Sequence, residues 1–210
     1  HANAAGTSKH GGVLALMGDD HGAESSTVPH QSEFAMMDAM IPILHPAGLQ
    51  EILDYGIYGW ALSRYSGCWV GLKCVHDNIE SAGIADGSVD RVKINYPTDF
   101  KMPEGGLNIR PRDDRFDQEM RLHQHKRFAA VAFARANKLD KIVLSGGKAP
   151  KIGIVSTGKS YLDVRQALED LGIDEVASSK LGLRLLKVAM VWPLDPQIVS
   201  EFAKGLDQII

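Results

Sequence analysis

Cysteine is nearly missing from this chain: Cys68 and Cys74 are the only two in 210 residues. Two cysteines cannot form the disulfide framework of a small secreted domain, and their scarcity points to a reducing cytosol. No apolar run reaches the roughly 18 residues a membrane helix needs, so no membrane partner is expected. A large excess of charge of one sign is missing as well. With 23 Lys and Arg against 26 Asp and Glu, the formal net charge of -3 directs the chain toward neither nucleic acid nor an anionic surface. Cys-x-x-Cys and His-Glu-x-x-His spacings do not occur, and no internal repeat or low-complexity tract is seen. A secretory signal and an initiating methionine are also missing ahead of His1, which reads as a processed start or a piece of something longer.

What remains is ordinary globular material, 44% hydrophobic and 23% charged, which argues against disorder, collagen and coiled coil. A chain of this length can bury a core without disulfides, as one large domain or two small ones. Val13 to Met17 followed by Gly18-Asp19-Asp20-His21 predicts a buried strand entering a polar loop. Phe34, Met37 and Met40 have helical spacing, and Ile41 to Leu44 predicts a second strand ended by His45-Pro46. Leu49, Ile52, Leu53, Gly56 and Trp60 predict one apolar helix face, with Gly56 and Gly59 allowing close packing. Cys68 to Val75 predicts a third strand. Strands alternating with helices imply a parallel sheet with helices on its faces.

Residues 76–112 break this rhythm with glycine and proline and one strand candidate, Val89 to Ile94; they predict an arm that packs on a neighbour or shapes a site. Asp113-Asp114 predict the cap of a helix running to about Leu139, with Phe116, Met120, Phe128, Val131 and Arg135 at helical steps. Lys141 to Leu144 predicts a strand, and Ser145 to Pro150 a domain boundary. Beyond it lie a strand at Ile152 to Val155 and a helix opened by Gly158, with Tyr161, Val164, Leu168 and Leu171 as its apolar face and Gly172 at its end. A strand at Leu185 to Val191 and a final helix at Asp195-Pro196 complete the pattern.

Three signals suggest chemistry. Gly153-Ile-Val-Ser-Thr-Gly158-Lys159-Ser160 spells a P-loop, but its first glycine falls inside a predicted strand. The loop left over, Ser156 to Gly158, is too short to cradle a triphosphate, although the helix N-terminus could still hold an anion. Histidines are the second signal: His123 and His125 lie about 200° apart on a helix and cannot share a metal ion. Cys68 and Cys74 read as buried inert thiols, so no metal ligand is assigned. The third signal is the polar loop Asp19 to Ser26. It follows a strand directly, which is where ligands bind in parallel α/β sheets. Carboxylates beside an imidazole perturb one another's pKa, although a solvated capping loop is equally consistent with these residues.

The stretch His1 to Gly12, the loop Gly18-Asp-Asp-His21 to Ser25-Ser26, Ile152-Gly-Ile-Val-Ser-Thr-Gly-Lys-Ser-Tyr161, Met102-Pro-Glu-Gly-Gly-Leu-Asn-Ile-Arg110 and Ala134-Arg-Ala-Asn137 resemble the indolepyruvate-type 2-oxoacid:ferredoxin oxidoreductases. The resemblance runs in order along essentially the whole chain. It implies an α/β protein of three-layer parallel sheets with helices on both faces. Residues 1–145, with the arm at 76–112, would be the later part of a thiamine pyrimidine-binding domain, and 148–210 the start of a transketolase C-terminal-like domain. The family decarboxylates a 2-oxoacid on thiamine diphosphate with magnesium, passes electrons through 4Fe-4S clusters to ferredoxin, and transfers the acyl group to coenzyme A.

The resemblance also implies that the activating glutamate, the diphosphate ligands and the cluster cysteines lie outside these residues. The isolated chain is then an internal fragment, inactive alone and holding none of these cofactors. It would be cytoplasmic, and its partners would be other domains or subunits of a homo-oligomeric enzyme. Asp19, Asp20, Ser25, Ser26 and His30 become candidates for the pocket wall, with Thr7, Ser8 and His10 behind them. His21 is the candidate for hydrogen bonding or proton transfer near the 2-oxoacid, because imidazole titrates near neutrality. A nucleotide-binding enzyme using Gly158-Lys159-Ser160 and a non-catalytic interaction domain stay open as alternatives.

Overall fold

The computed structural model describes residues 1–210. Its elements are α1 (Ala2–Ala5), β1 (Leu14–Asp19), α2 (Glu33–Asp38), β2 (Ile43–Leu44), α3 (Leu49–Ser66), β3 (Val70–Val75) and α4 (His76–Ile79). After the arm come α5 (Arg115–Arg121), a π-helical turn (Leu122–Lys126), α6 (Arg127–Ala136), β4 (Lys141–Ser145) and β5 (Ile152–Thr157). The remainder is α7 (Gly158–Asp170), α8 (Glu175–Leu181), β6 (Leu183–Val188), β7 (Met190–Trp192), α9 (Pro196–Ala203) and β8 (Gln208–Ile209). The strands form two four-stranded sheets, ordered β1-β3-β2-β7 and β4-β6-β5-β8.

Both sheets are mostly parallel but not wholly so, which corrects the purely parallel expectation. β7 runs antiparallel to β2, and β4 antiparallel to β6. Each of these strands sits at a sheet edge, where an antiparallel neighbour is readily accepted. The run expected as one strand from Leu185 to Val191 is divided at Ala189. There the Asp140 carboxylate accepts from the amides of Ala189 (2.6 Å) and Met190 (3.0 Å), so the chain leaves the second sheet and enters the first within one residue. β4, expected to belong with the first part of the chain, pairs into the second sheet instead.

The first sheet is covered by α3 and α6 around a core that includes Leu44, Leu62, Val70, Leu72 and Phe133. The face of α3 that packs inward is not the expected one. Tyr55, Gly59, Leu62, Ser63 and Ser66 are buried, whereas Leu53 and Trp60 are about two-fifths exposed. Small residues decide this. A Cβ on Gly59 would lie 2.7 Å from the Leu14 side chain, so the missing side chain is what lets the helix approach the sheet; Gly56 has no such neighbour. The helix stops at Gly67, whose left-handed φ of 70° allows its amide to close on the Ser63 carbonyl.

The arm forms no strand at Val89 to Ile94. It is anchored instead by Ile94 on the core, by Tyr96 against the rings of Tyr65 and Phe133, and by the Asn137 side chain, which bonds the backbone of Asn95 in both directions. Asp114 caps α5 as expected, accepting from the Phe116 amide at 2.8 Å. The long helix predicted after it is interrupted by the π-turn, and Phe116, Met120 and Phe128 face outward. The alanines around Phe133 pack inward, because they let α6 lie close to α3.

In the second sheet the alternation along β6 separates two small cores. Leu183 and Leu185 meet Leu168 of α7 on one face, and Leu186 and Val188 meet Phe202 of α9 on the other. This sheet therefore carries helices on both faces. Leu171, expected on the inner face of α7, is exposed past the helix end. Asp195 caps α9 through the Gln197 amide at 3.0 Å, with Pro196 at the first helical position. No helix is long and apolar enough to cross a membrane.

Candidate functional site

A cleft of about 570 Å³ opens at the carboxyl ends of β1, β2 and β3, where the first turn of α7 meets them. Parallel strands that end side by side release their loops at one edge, so this is where a ligand site is expected. At its floor, Lys73 projects from β3 with only 1% of its side chain exposed. Its ammonium lies 3.2 Å from an oxygen of Asp19, which is fully buried at the end of β1, and in direct contact with Glu33 of α2. Burial pulls the Asp19 carboxyl upward. The hydrogen bonds from the Ser32 hydroxyl (2.6 Å) and amide (3.0 Å), together with Lys73, outweigh that effect and hold it below its ordinary value. Glu33 follows the same balance, raised by burial and lowered further by Lys73.

His45 follows β2 directly and is 8% exposed. Its Nδ1 lies 3.4 Å from the Thr157 hydroxyl, which donates at 2.7 Å to the Val188 carbonyl. Its Nε2 has no hydrogen-bond partner. Burial and the nearby Lys73 charge push its pKa down to about 4, so the ring is neutral at physiological pH. The ring lies against Gly158, where a Cβ would come within 2.2 Å of it; with φ at 54°, only glycine fits there. Met37, Ile43, Val191 and Trp192 add an apolar wall, and Lys159 stands at the rim between Asp163 (3.0 Å) and Asp77 (3.9 Å).

The structure brings only some of the sequence candidates to this cleft. Asp19 is in the cluster, and His21 is an exposed residue on the cleft wall. His30 reaches Asp19 from outside, with its Nδ1 at 3.3 Å. Asp20 serves the loop itself. It accepts from the amides of Glu24, Ser25 and Ser26 at 2.8 to 3.0 Å, and the first two of these hold its carboxyl well below the usual range. Ser25 donates its hydroxyl to Asp20, and Ser26 donates to the Val28 carbonyl; both are loop ties.

Thr7, Ser8 and His10 lie before the start of β1, at the opposite edge of the sheet. There Thr7 donates to the Ser63 carbonyl, and Ser8 and His10 are exposed. Sequence reasoning passed over Lys73, Glu33 and His45. The available signal was a single charge inside the apolar run Val70 to Val75, and a histidine ending the next strand.

The donor chemistry also bears on cofactors. A cubane cluster needs four thiolates, and this chain has Cys68, buried ahead of β3, and Cys74, half-buried within it. Burial raises both thiols above their ordinary pKa, which disfavours thiolate. Asp19, His21 and Glu33 place ligand atoms within 4.8 Å of one another, but Lys73 pairs with both carboxylates, so the position a magnesium ion would take is held by the protein's own cation. These residues fit neither a cluster nor a metal-bound diphosphate. At the P-loop spelling, β5 continues through Thr157 and α7 starts at Gly158, leaving no loop to wrap phosphates. His123 is exposed beside Glu119 on the π-turn, remote in the chain from the strand ends that build the cleft.

Comparison with known proteins agrees with this architecture. The indolepyruvate oxidoreductase domain family matches residues 142–210. The indolepyruvate oxidoreductase subunit IorA of Methanothermobacter marburgensis is 25% identical over 199 residues, covering 95% of this chain and 30% of that protein. The IorA subunit of Pyrococcus horikoshii is 25% identical over 205 residues with the same coverage. In fold, the chain resembles the 2-oxoglutarate:ferredoxin oxidoreductase of Magnetococcus marinus, with a TM-score of 0.58 at 12% identity, over 93% of this chain and 40% of that one. The chain is therefore related to the IorA subunit of indolepyruvate oxidoreductase, over about 30% of that subunit's length.

Proposed function

We propose that this chain is part of an oxidoreductase acting on an aryl 2-oxoacid of the indolepyruvate kind, and that its cleft forms part of the substrate pocket. The observation that carries the reading is the similarity to IorA along 95% of the chain, with the cleft falling where the strands end. In the reaction the 2-oxoacid loses carbon dioxide, its acyl group passes to the sulfur of coenzyme A, and the two electrons released reduce ferredoxin. Thiamine diphosphate with magnesium and the iron–sulfur clusters are supplied by parts of the enzyme outside these residues, so the chain alone has no turnover. Its remaining partners are other domains or subunits of the same enzyme, in a cytoplasmic homo-oligomer.

Within that pocket His21 donates a hydrogen bond or a proton to the substrate, since it is the exposed imidazole on the cleft wall. The test is ferredoxin reduction by the whole enzyme, supplied with indolepyruvate and coenzyme A. His21→Ala is expected to lower kcat/KM about a hundredfold without changing the melting temperature. An enzyme that reduces no ferredoxin from any 2-oxoacid overturns the reading. Wild-type turnover in His21→Ala leaves the loop a structural element only.

A further inference from the structure

Three features of the cleft floor do not fit a purely structural salt bridge. Lys73 has two carboxylate partners where one would neutralise it. The two partners are held very differently. Asp19 is fully buried and fixed by both the amide and the hydroxyl of Ser32. Glu33 is one-quarter exposed, and its Oε2 is a buried acceptor without any hydrogen-bond partner. It stands at the start of α2, a six-residue helix with no buried residue, so little packing resists its movement. The cluster therefore has one permanent counter-ion and one loosely held carboxylate on an otherwise enclosed ammonium.

We propose that Lys73 is the anchor for the carboxylate of a bound 2-oxoacid, and that Glu33 occupies that place until the ligand displaces it. This rests on the reading that a 2-oxoacid enters the cleft. Charge supports the exchange: a monoanionic ligand taking the place of Glu33 keeps one negative charge beside the Lys73–Asp19 pair instead of adding a second. The rest of the cleft suits the remainder of such a ligand. Met37, Ile43, Val191 and Trp192 offer an apolar wall to its side chain. His45 turns no charge toward it, because burial keeps the ring neutral. Asp77 and Asp163 are engaged at the rim by Lys159, and His30 lies outside on Asp19. The first turn of α7 borders the same space without a side-chain cap, since Thr157 donates to Val188 instead.

The test is calorimetric titration of the chain with phenylpyruvate, and with 3-phenylpropionate against its uncharged amide. Wild type is expected to prefer the acid over the amide, and Glu33→Gln to tighten both acids about tenfold while leaving the amide unchanged. Lys73→Met alone would strand Asp19, so the double variant Lys73→Met/Asp19→Asn is measured; it is expected to lose the preference for the acid. Should that variant fail to fold, Glu33→Gln, which breaks no permanent pair, decides alone. No binding by wild type, equal binding of acid and amide, or unchanged acid affinity in Glu33→Gln overturns the proposal. The whole enzyme separates this result from the underlying reading. Ferredoxin reduction with an unaltered KM in Glu33→Gln removes the anchor and keeps the enzyme class, whereas acid binding by the chain beside a whole enzyme that oxidises no 2-oxoacid does the reverse.

Discussion

The two edges of the first sheet each bury a lysine, and they do so by opposite means. At the carboxyl edge Lys73 is paired with Asp19 and Glu33 on the floor of an open cleft. At the amino edge Lys126, fully buried on the π-turn, donates to the carbonyls of Asn3 (3.1 Å), Ala4 (3.0 Å) and Ala5 (3.4 Å) at the end of α1. Neutral dipoles compensate an ammonium less well than carboxylates do, and burial lowers the Lys126 pKa to about 8. At the amino edge the ammonium is taken up by backbone carbonyls, and the buried Arg121 beside it pairs with Asp113 while its Nε has no partner. At the carboxyl edge two buried groups without a partner, Glu33 Oε2 and His45 Nε2, belong to residues that line the cleft. Surplus hydrogen-bonding capacity beside a cavity distinguishes a site from a brace.

The largest expected effect comes from breaking the charged pair. Lys73→Met should cost about 4 kcal/mol in urea unfolding, because Asp19 is left buried without a counter-ion, and adding Asp19→Asn should restore most of it. If both variants are equally unstable, packing at Lys73 and not charge holds that edge. Next in size is a pH effect at His45. Its folded pKa, about 4, lies below the unfolded value near 6.5, so its neutral form stabilises the fold fully above pH 6.5. As pH falls from 6.5 toward 4 the unfolded chain takes up a proton that the folded one refuses, and about 3 kcal/mol is lost. Asp19 and Glu33, with lowered pKa values, lose their contribution only below the ordinary carboxylate range. The two losses therefore separate along a titration of unfolding free energy, and His45→Gln should flatten the upper one.

At the amino edge Lys126→Met should cost less, about 2 kcal/mol, because it leaves carbonyl dipoles and no buried charge. It should not alter ligand binding at the cleft once stability is matched; altered binding would couple the two edges. The smallest effect is expected at His21, where replacement by alanine should move stability by less than about 0.5 kcal/mol because the side chain is exposed.

Local signals in the sequence were reliable where the physics is local. Asp114 and Asp195 cap the helices they precede, and Gly153 lies inside β5, so the P-loop spelling carries no P-loop. Periodicity misled where apolar residues lined both sides of a helix. In α3 the stripe through Leu53 and Trp60 looked like the core face, yet Tyr55, Gly59, Leu62, Ser63 and Ser66 are the buried residues; of the two glycines expected to allow close packing, Gly59 does so against Leu14 and Gly56 meets no neighbour. On α6 the alanines and Phe133 are buried, while Phe128 is exposed. Among site residues Asp19 and His21 were legible from a polar loop after an apolar strand. Lys73 was not, since one lysine in a strand carries no mark of what faces it.

The sequence by itself determined the alternation of strands and helices, the caps and the family resemblance, all properties of neighbouring residues or of ordered motifs. Tertiary structure alone decided which strands share a sheet, why β7 leaves the second for the first, and which polar groups converge. Asp19, Glu33, His45, Lys73 and Thr157 lie far apart along the chain and meet because parallel strands end at one edge. Their chemistry arises from burial and mutual charge, which no single position encodes.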